Sequence, residues 1–426
     1  MYFSQTGNIR EAGTGYLAFL SDDMIEEIFM LFDHMDLCRM AQVSKTMYVF
    51  AGIDVLWKPI CIDQWKGDFK FQGTWKKTFA WKMFNHQIVD ANPPINASGL
   101  YSDRLYQSWF CAQVSPYLWT KVENIERRSN LSLEEFRTEY EAKNKPVIIT
   151  DVLNKWEISK WTREDFLQKL GDRAFKTDFE QTEMKLADYF TYCDTVKEER
   201  PIYLFDNSFC ERAPEMDKSF GIPSYFPDDY FNLLNVHPEH RPSWRWFLVG
   251  PPRSGATFHK DPNFTSAWHG LLIGKKKWIM YPPEVVPIGI FPSADGQQVT
   301  GPDTMVQWFM DFYKEKAEVD PIECTLHAGE MMFIPSAWWH SVLNLETSVA
   351  ITQNYVSKYN LKSVYNFLKS KKHQNLFQLF HQELEKNHPE DLAQILKEEH
   401  TKPKTGEMWK NFVGDEEEDA NWTLNF

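Results

Sequence analysis

Between residues 244 and 357 the chain breaks into a succession of short apolar segments: WRWFLVG, AWHGLLIG, KKWIMYPP, EMMFIP, SVLNL and SVAITQNYV. Gly, Pro, Asn and Glu-Thr-Ser turns separate them. Segments so short, rich in β-branched and aromatic residues, read as strands, and this many in a row predict a sandwich or a jelly-roll barrel. Upstream, Pro146-Val147-Ile148-Ile149-Thr150 and Pro201-Ile202-Tyr203-Leu204-Phe205 add strand-like runs, with a helix-like stretch around Thr162–Leu170 between them. From Leu361 to about Glu399, Val364, Phe367, Leu368, Leu376, Phe377, Leu379 and Phe380 recur at helical spacing. The expected class is α+β, a jelly-roll barrel with flanking helices.

The 426 residues allow about three units at roughly 150 residues each. With 46 Lys and Arg against 60 Asp and Glu, the net charge of −14 disfavours a general nucleic-acid or anionic-membrane binder and suits a basic partner. The six cysteines (Cys38, Cys61, Cys111, Cys193, Cys210 and Cys324) form no CxxC pair, so neither a zinc ribbon nor a disulfide framework is expected. No basic stretch followed by an apolar run opens the chain, and no apolar stretch approaches membrane-spanning length. The expectation is a reduced protein inside the cell, in the nucleus, the cytoplasm or both.

The N-terminal part has helical period. Ser21 suits the cap of a helix carrying Met24, Ile25, Ile28, Phe29 and Phe32. Asp36 suits the cap of a second, with Leu37 and Met40, and Ser44 that of a third, with Met47 and Phe50. Leu56-Trp57 closes the segment. The stretch YLAFLSDDMIEEIFMLFDHMDLCRMAQVSKTMYVFAGIDVLWKPI resembles an F-box, with Ser21 where that family usually has Pro. The resemblance implies docking onto the Skp-type adaptor of a cullin ubiquitin ligase. The expected divisions are an F-box at 14–62, a helical linker region at 63–140 with a loop at 92–99, and a barrel at 141–360. C-terminal helices follow at 361–400 and an acidic tail at 401–426.

The chemistry concentrates in Thr257-Phe258-His259-Lys260-Asp261-Pro262 and in PSAWWHSVLNL, which carries His340. Two residues apart on an extended segment, His259 and Asp261 face the same way. With His340 from another strand they make two imidazoles and a carboxylate, a set that covers one face of an octahedral metal and suits non-haem Fe(II). Zinc is the competing metal, and the bland alternative for an isolated HxD is a surface turn. A 2-oxo acid with a second carboxylate also needs a buried cation, for which spacing alone leaves Lys275, Lys276 and Lys277 open. Strand alternation groups Lys276 with Trp278 and Met280. It likewise groups Ala350, Thr352 and Asn354 against Val349, Ile351 and Tyr355.

GPPRSGATFHKDPNFTSAWHGLLIGKKKWIMYPP followed by HAGEMMFIPSAWWHSVLNLETSVAITQNYVS resembles a JmjC domain of the phosphatidylserine-receptor type, over about residues 140–360. That resemblance implies a double-stranded β-helix and an oxygenase using Fe(II), 2-oxoglutarate and O2. Its products would be hydroxylated or N-demethylated Lys or Arg in a basic protein such as a histone or another nuclear or translation protein. It implies His259, Asp261 and His340 as iron ligands, and Lys276, Thr352 and Tyr203 as contacts of the co-substrate, with Asn354 beside the metal. Relatives carry a Thr where this chain has Ala256 and an Asn where it has His269, so Thr257, the nearby hydroxyl, and His269 are expected, with Asn354, among the residues that bind 2-oxoglutarate. The rival reading is an adaptor in which the F-box recruits a ligase and the barrel only binds.

Overall fold

Alternation of side chains along the strands sorts the barrel into an inside and two outsides. The computed structural model describes residues 8–85, 99–179, 182–294, 296–315, 319–370 and 374–401. Arg127–Arg128 (β1) and Val147–Ile149 (β2) precede the small antiparallel pair Ala174–Lys176 (β3) and Glu183–Lys185 (β4), then Leu204–Asp206 (β5). There follow Arg245–Gly250 (β6), Gly255–His259 (β7), Ser266–Ile273 (β8), Lys275–Tyr281 (β9), Phe291–Pro292 (β10) and Val299–Thr300 (β11). Ile322–His327 (β12), Met331–Ile334 (β13), Trp339–Asn344 (β14) and Ser348–Tyr355 (β15) complete the set. A seven-stranded sheet in the order β1-β2-β13-β8-β15-β6-β5 faces a four-stranded sheet in the order β12-β9-β14-β7.

Between the sheets lie Leu248, Leu271, Trp278, Met280, Leu326, Met332, Val342 and Ala350, one set of alternate residues from each strand. The opposite set from the larger sheet, including Phe247, Val249, Trp268, Met331, Phe333 and Ile351, packs under helices. One of these is Arg163–Leu170, whose start is fixed by the reciprocal capping of Thr162 and Asp165. Strand β12 escapes the sequence reading because its charged Glu323 looks like a loop residue. In the fold Glu323 is buried and paired with Lys277 of β9 at 2.7 Å.

The N-terminal helices are Ile9–Thr14, Asp22–Met30, His34–Met40, Lys45–Phe50 and Asp54–Trp65. Ser21 and Ser44 cap as expected, through Met24 N and Met47 N. Asp36 does not: the cap is Asp33, which accepts the amide of Asp36 at 2.9 Å and so starts the helix earlier. Met24 turns outward, while Ile25 and Phe29 are buried. Leu56 and Trp57 lie in the first turn of the last of these helices and are buried. The apolar core runs without a break from Ile25, Phe29 and Trp57 through Phe71 and Trp75 to the barrel's outer face. The F-box unit is therefore packed onto the barrel.

At the other end, Leu361–Ser370, Gln374–Asn387 and Pro389–Thr401 close over Phe231, Leu234 and Val356. The loop expected at 92–99 falls outside the described residues except for Gly99, as does the acidic run Asp415–Asp419. No helix among the described residues is long and apolar enough to cross a membrane.

Candidate metal and co-substrate site

Strand β7 turns Phe258 into the outer core, against Trp308, and leaves Thr257 and His259 on the other face. Gly255 permits the close crossing that sets this register. Its φ is +147°, and a Cβ there would lie 2.0 Å from the carbonyl oxygen of Val342. His259 then stands opposite His340 of β14, and Asp261 follows just beyond the strand. Potential ligand atoms of His259, Asp261 and His340 all fall within 4.8 Å of one another.

The two imidazoles are oriented by backbone carbonyls: His259 Nδ1 is 2.8 Å from Thr257 O, and His340 Nδ1 is 3.1 Å from Trp338 O. A carbonyl only accepts, so each Nδ1 carries the proton and each Nε2 presents a lone pair, as a metal requires. Burial, then the neighbouring His259, holds His340 well below the usual imidazole range and keeps it neutral. Asp261 is buried, its Oδ2 has no hydrogen-bond partner, and burial raises its carboxyl above the usual range. A cation between the three side chains would remove that penalty, so the donor set fits a divalent metal.

Behind His259, Asp261 and His340 the interior continues along β9 and β14, where Val342 pairs with Trp278 and Asn344 with Lys276. Each of the three adjacent lysines has a different fate. Lys275 meets Glu346 at the surface at 2.8 Å, and Lys277 points to the outer face and Glu323. Lys276 points inward, fully buried, and donates to the Tyr203 hydroxyl at 2.9 Å. It has no carboxylate partner among the described residues, and burial pushes its ammonium down to about 7. Gly250 makes room for this arrangement, since a Cβ there would lie 2.5 Å from the Tyr203 ring.

Thr352 shares its level with His269 and Trp246 on the adjoining strands, and its hydroxyl donates to Trp268 O at 2.9 Å. Asn354 donates to Thr265 Oγ1 at 2.8 Å and bears on Asp261. His269 is buried with an unpartnered Nε2. Burial, then Lys276 and His340, keeps its ring well below the usual imidazole range. Thr257 is exposed at the rim. Two interior residues escaped the sequence reading. Asn344 donates to Ser254 Oγ at 2.8 Å but leaves Oδ1 unpartnered, and Trp278 has a free Nε1. The lone polar Asn in the apolar SVLNL was the available signal for the first. Asp261 Oδ2, His269 Nε2, Trp278 Nε1 and Asn344 Oδ1 are thus all buried without partners, a set of polar atoms that fits a polar ligand.

Two facing, largely antiparallel sheets with a His-x-Asp and a distant His at one end define a cupin-type barrel with three side chains that could hold a metal ion. A cupin-like domain model matches residues 133–361 and an F-box model residues 17–59. The chain is 42% identical over 377 residues to arginine-specific demethylase JMJ22 of Arabidopsis thaliana, covering 87% of this chain and 74% of that protein. It is 38% identical to lysine-specific demethylase JMJ21 of the same plant, over 82% of this chain but only 38% of that one. It is also 38% identical to the bifunctional arginine demethylase and lysyl-hydroxylase psr-1 of Caenorhabditis elegans, over 56% and 62%. The chain belongs to the cupin-like JmjC family of 2-oxoglutarate-dependent oxygenases and carries an N-terminal F-box.

Proposed function

We propose that this protein is an Fe(II)- and 2-oxoglutarate-dependent protein hydroxylase or N-methyl demethylase acting on Lys or Arg side chains of a basic protein. The observation that carries it is an unpaired buried cation, Lys276, in the same barrel interior as an open His259-Asp261-His340 face. Bound there, ferrous iron with O2 and the 2-oxo acid supplies the oxidising power to put a hydroxyl on a substrate carbon; on an N-methyl carbon the hydroxylated product releases formaldehyde.

The chain's own residues do the rest. His259, Asp261 and His340 would hold the metal through two imidazoles and a carboxylate. Lys276 and Tyr203 receive the far carboxylate of 2-oxoglutarate, the ammonium as counter-charge and the phenol as a second donor. Thr352 joins them if its proton turns from Trp268 O, and His269 and Asn344 are the polar groups nearest to hand. Leu248, Leu271, Trp278 and Ala350 keep water from the reacting atoms. The net charge of −14 favours a basic target, met in the nucleus or cytoplasm.

The decisive experiment incubates anaerobically iron-loaded protein with 2-oxoglutarate, air and Lys- and Arg-rich peptides, methylated and not. Succinate should appear together with a peptide mass change of one oxygen gained or one methyl lost, and His259→Ala should give neither. Absence of succinate with every peptide, in protein that holds iron, would defeat the reading.

Affinity for 2-oxoglutarate should also depend on pH. Burial holds free Lys276 near 7, and a bound carboxylate raises it, so binding above pH 7 takes up a proton. Affinity should therefore weaken as pH rises from 7 to 9, by at most about tenfold per unit. Calorimetry at pH 8 in buffers of different ionisation enthalpy counts that proton, and no uptake would contradict the assignment.

A second reading has its own observation. Tyr16, Phe19 and Leu31 of the F-box unit are over four-fifths exposed, on the short turns that flank the helix Asp22–Met30, whose Ile25 and Phe29 are buried. We assign this face to a Skp-type adaptor, alongside catalysis rather than instead of it. Co-purification with adaptor of a protein that neither holds iron nor turns over 2-oxoglutarate would favour the adaptor role alone.

A further inference from the structure

The segment that delivers Tyr203 has no regular structure of its own. It connects the helix Leu186–Thr195 to β5, and residues 196–203 belong to neither. Near Tyr203 it is anchored by the helix it leaves and by the residues after β3: Ile202 N donates to Tyr192 Oη at 2.8 Å, Tyr189 Oη donates to Ile202 O at 2.8 Å, Tyr203 N donates to Asp178 Oδ1 at 2.8 Å, and Asp178 N donates back to Tyr203 O at 2.8 Å. Further back the anchors come from the N-terminal unit. Lys58, in the Leu-Trp-Lys sequence of the F-box, donates to Arg200 O at 3.0 Å and pairs with Glu198 Oε2 at 2.7 Å. The Trp75 indole N–H donates to the other oxygen of Glu198. Phe71 and Trp75 also pack on the Tyr192 ring, at 5.0 and 6.1 Å between centroids, and Tyr192 is the group that holds Ile202.

We propose that Lys58 is a positioning residue for Tyr203, so that the F-box unit forms part of the co-substrate site; this rests on the assignment of Tyr203 and Lys276 to 2-oxoglutarate. Lys58 is buried, and its chemistry is spent on the barrel. It faces two carboxylates, Glu198 and Asp54. Burial, then Glu198, pushes Asp54 up to about 7, and its Oδ1 is taken by Trp75 N at 2.8 Å. Without the ammonium the two acids repel and Arg200 O loses its donor. The segment then relaxes at the end nearest the F-box, and Tyr203 with it.

The test is a double-mutant cycle on the full chain, reading 2-oxoglutarate affinity by calorimetry with Mn(II) in place of iron. Lys58→Met should weaken 2-oxoglutarate about tenfold, leave KM for the peptide substrate unchanged, and speed amide exchange at Ile202 and Leu204. Lys58→Arg should restore most of the loss. Tyr203→Phe should also weaken binding, and adding Lys58→Met to it should change nothing further. A Lys58→Met effect that persists in full in the Tyr203→Phe background overturns the coupling, as does unaltered binding in Lys58→Met itself. A neutral Tyr203→Phe overturns the co-substrate assignment instead, so the two failures are distinct. Should Lys58→Met not fold, Trp75→Phe keeps an aromatic ring at that position and removes the bond to Glu198 with part of the ring packing. It should shift affinity the same way by a smaller factor, and a null result there counts against the proposal.

Discussion

Asp261→Ala should yield a folded protein that no longer retains a divalent metal and turns over 2-oxoglutarate at least about a thousandfold more slowly, several kcal/mol of metal-dependent stabilisation being lost. The metal-free protein should not suffer. Asp261 is buried with an unpartnered oxygen, so removing it relieves a desolvation cost in the absence of a cation. Its carboxyl is raised in the folded state by burial, so the native protein binds the proton more tightly than the unfolded chain does. Metal-free wild type therefore loses stability as pH rises through that window, and the variant should not. Thermal melts with and without Mn(II) check both halves: wild type should be raised by metal, Asp261→Ala should not. A variant that melts lower than metal-free wild type, yet still responds to Mn(II), would mean the carboxylate serves the fold rather than the metal.

Lys276→Met should raise the KM for 2-oxoglutarate by roughly a hundredfold, since a charge-assisted bond disappears and the incoming carboxylate would be buried without a counter-charge. At saturating co-substrate kcat should recover much of its value, because the metal ligands are untouched. The same change one residue along, Lys277→Met, should behave oppositely. It strands buried Glu323, costing about 3–5 kcal/mol of folding stability, and leaves co-substrate affinity in the surviving protein near wild type. Neighbours in sequence, the two lysines serve opposite faces of β9. Equal effects on KM would refute the assignment of Lys276 to the interior anion.

That contrast marks where the sequence was legible and where it was not. Alternation alone separated Lys276 from its neighbours, and Ala350, Thr352 and Asn354 from Val349 and Ile351. Which face looked inward depended on partners far along the chain, Glu346 for Lys275 and Glu323 for Lys277. Strands made of apolar residues were visible. Strand β12 was not, because a buried ion pair places a charge where the pattern demands none. Helix starts at Ser21 and Ser44 followed from local capping chemistry, but the expected start at Asp36 did not hold, because Asp33 three residues earlier caps that helix. His259, Asp261 and His340 could be singled out because metal chemistry restricts residue type and spacing so tightly. Asn344 offered only the signal of a lone amide in an apolar strand, and Trp278, though grouped with Lys276 by alternation, offered none of its polar role, since an indole there is ordinary until the sheets close around it. The seating of the F-box on the barrel was invisible, resting on contacts such as Lys58 with Glu198, 140 residues apart.

That seating has a geometric corollary. Many receptor modules of ubiquitin ligases would be pictured as hooks on a swinging arm, sampling a wide volume. Here the core shared by Trp57, Trp75 and Tyr192 joins the N-terminal helices to the barrel's outer face without a break among the described residues. Any ligase scaffold seated on Tyr16, Phe19 and Leu31 would inherit a fixed bearing toward the barrel mouth, and the lysines it could mark on a captured target would form a narrow arc rather than a cloud.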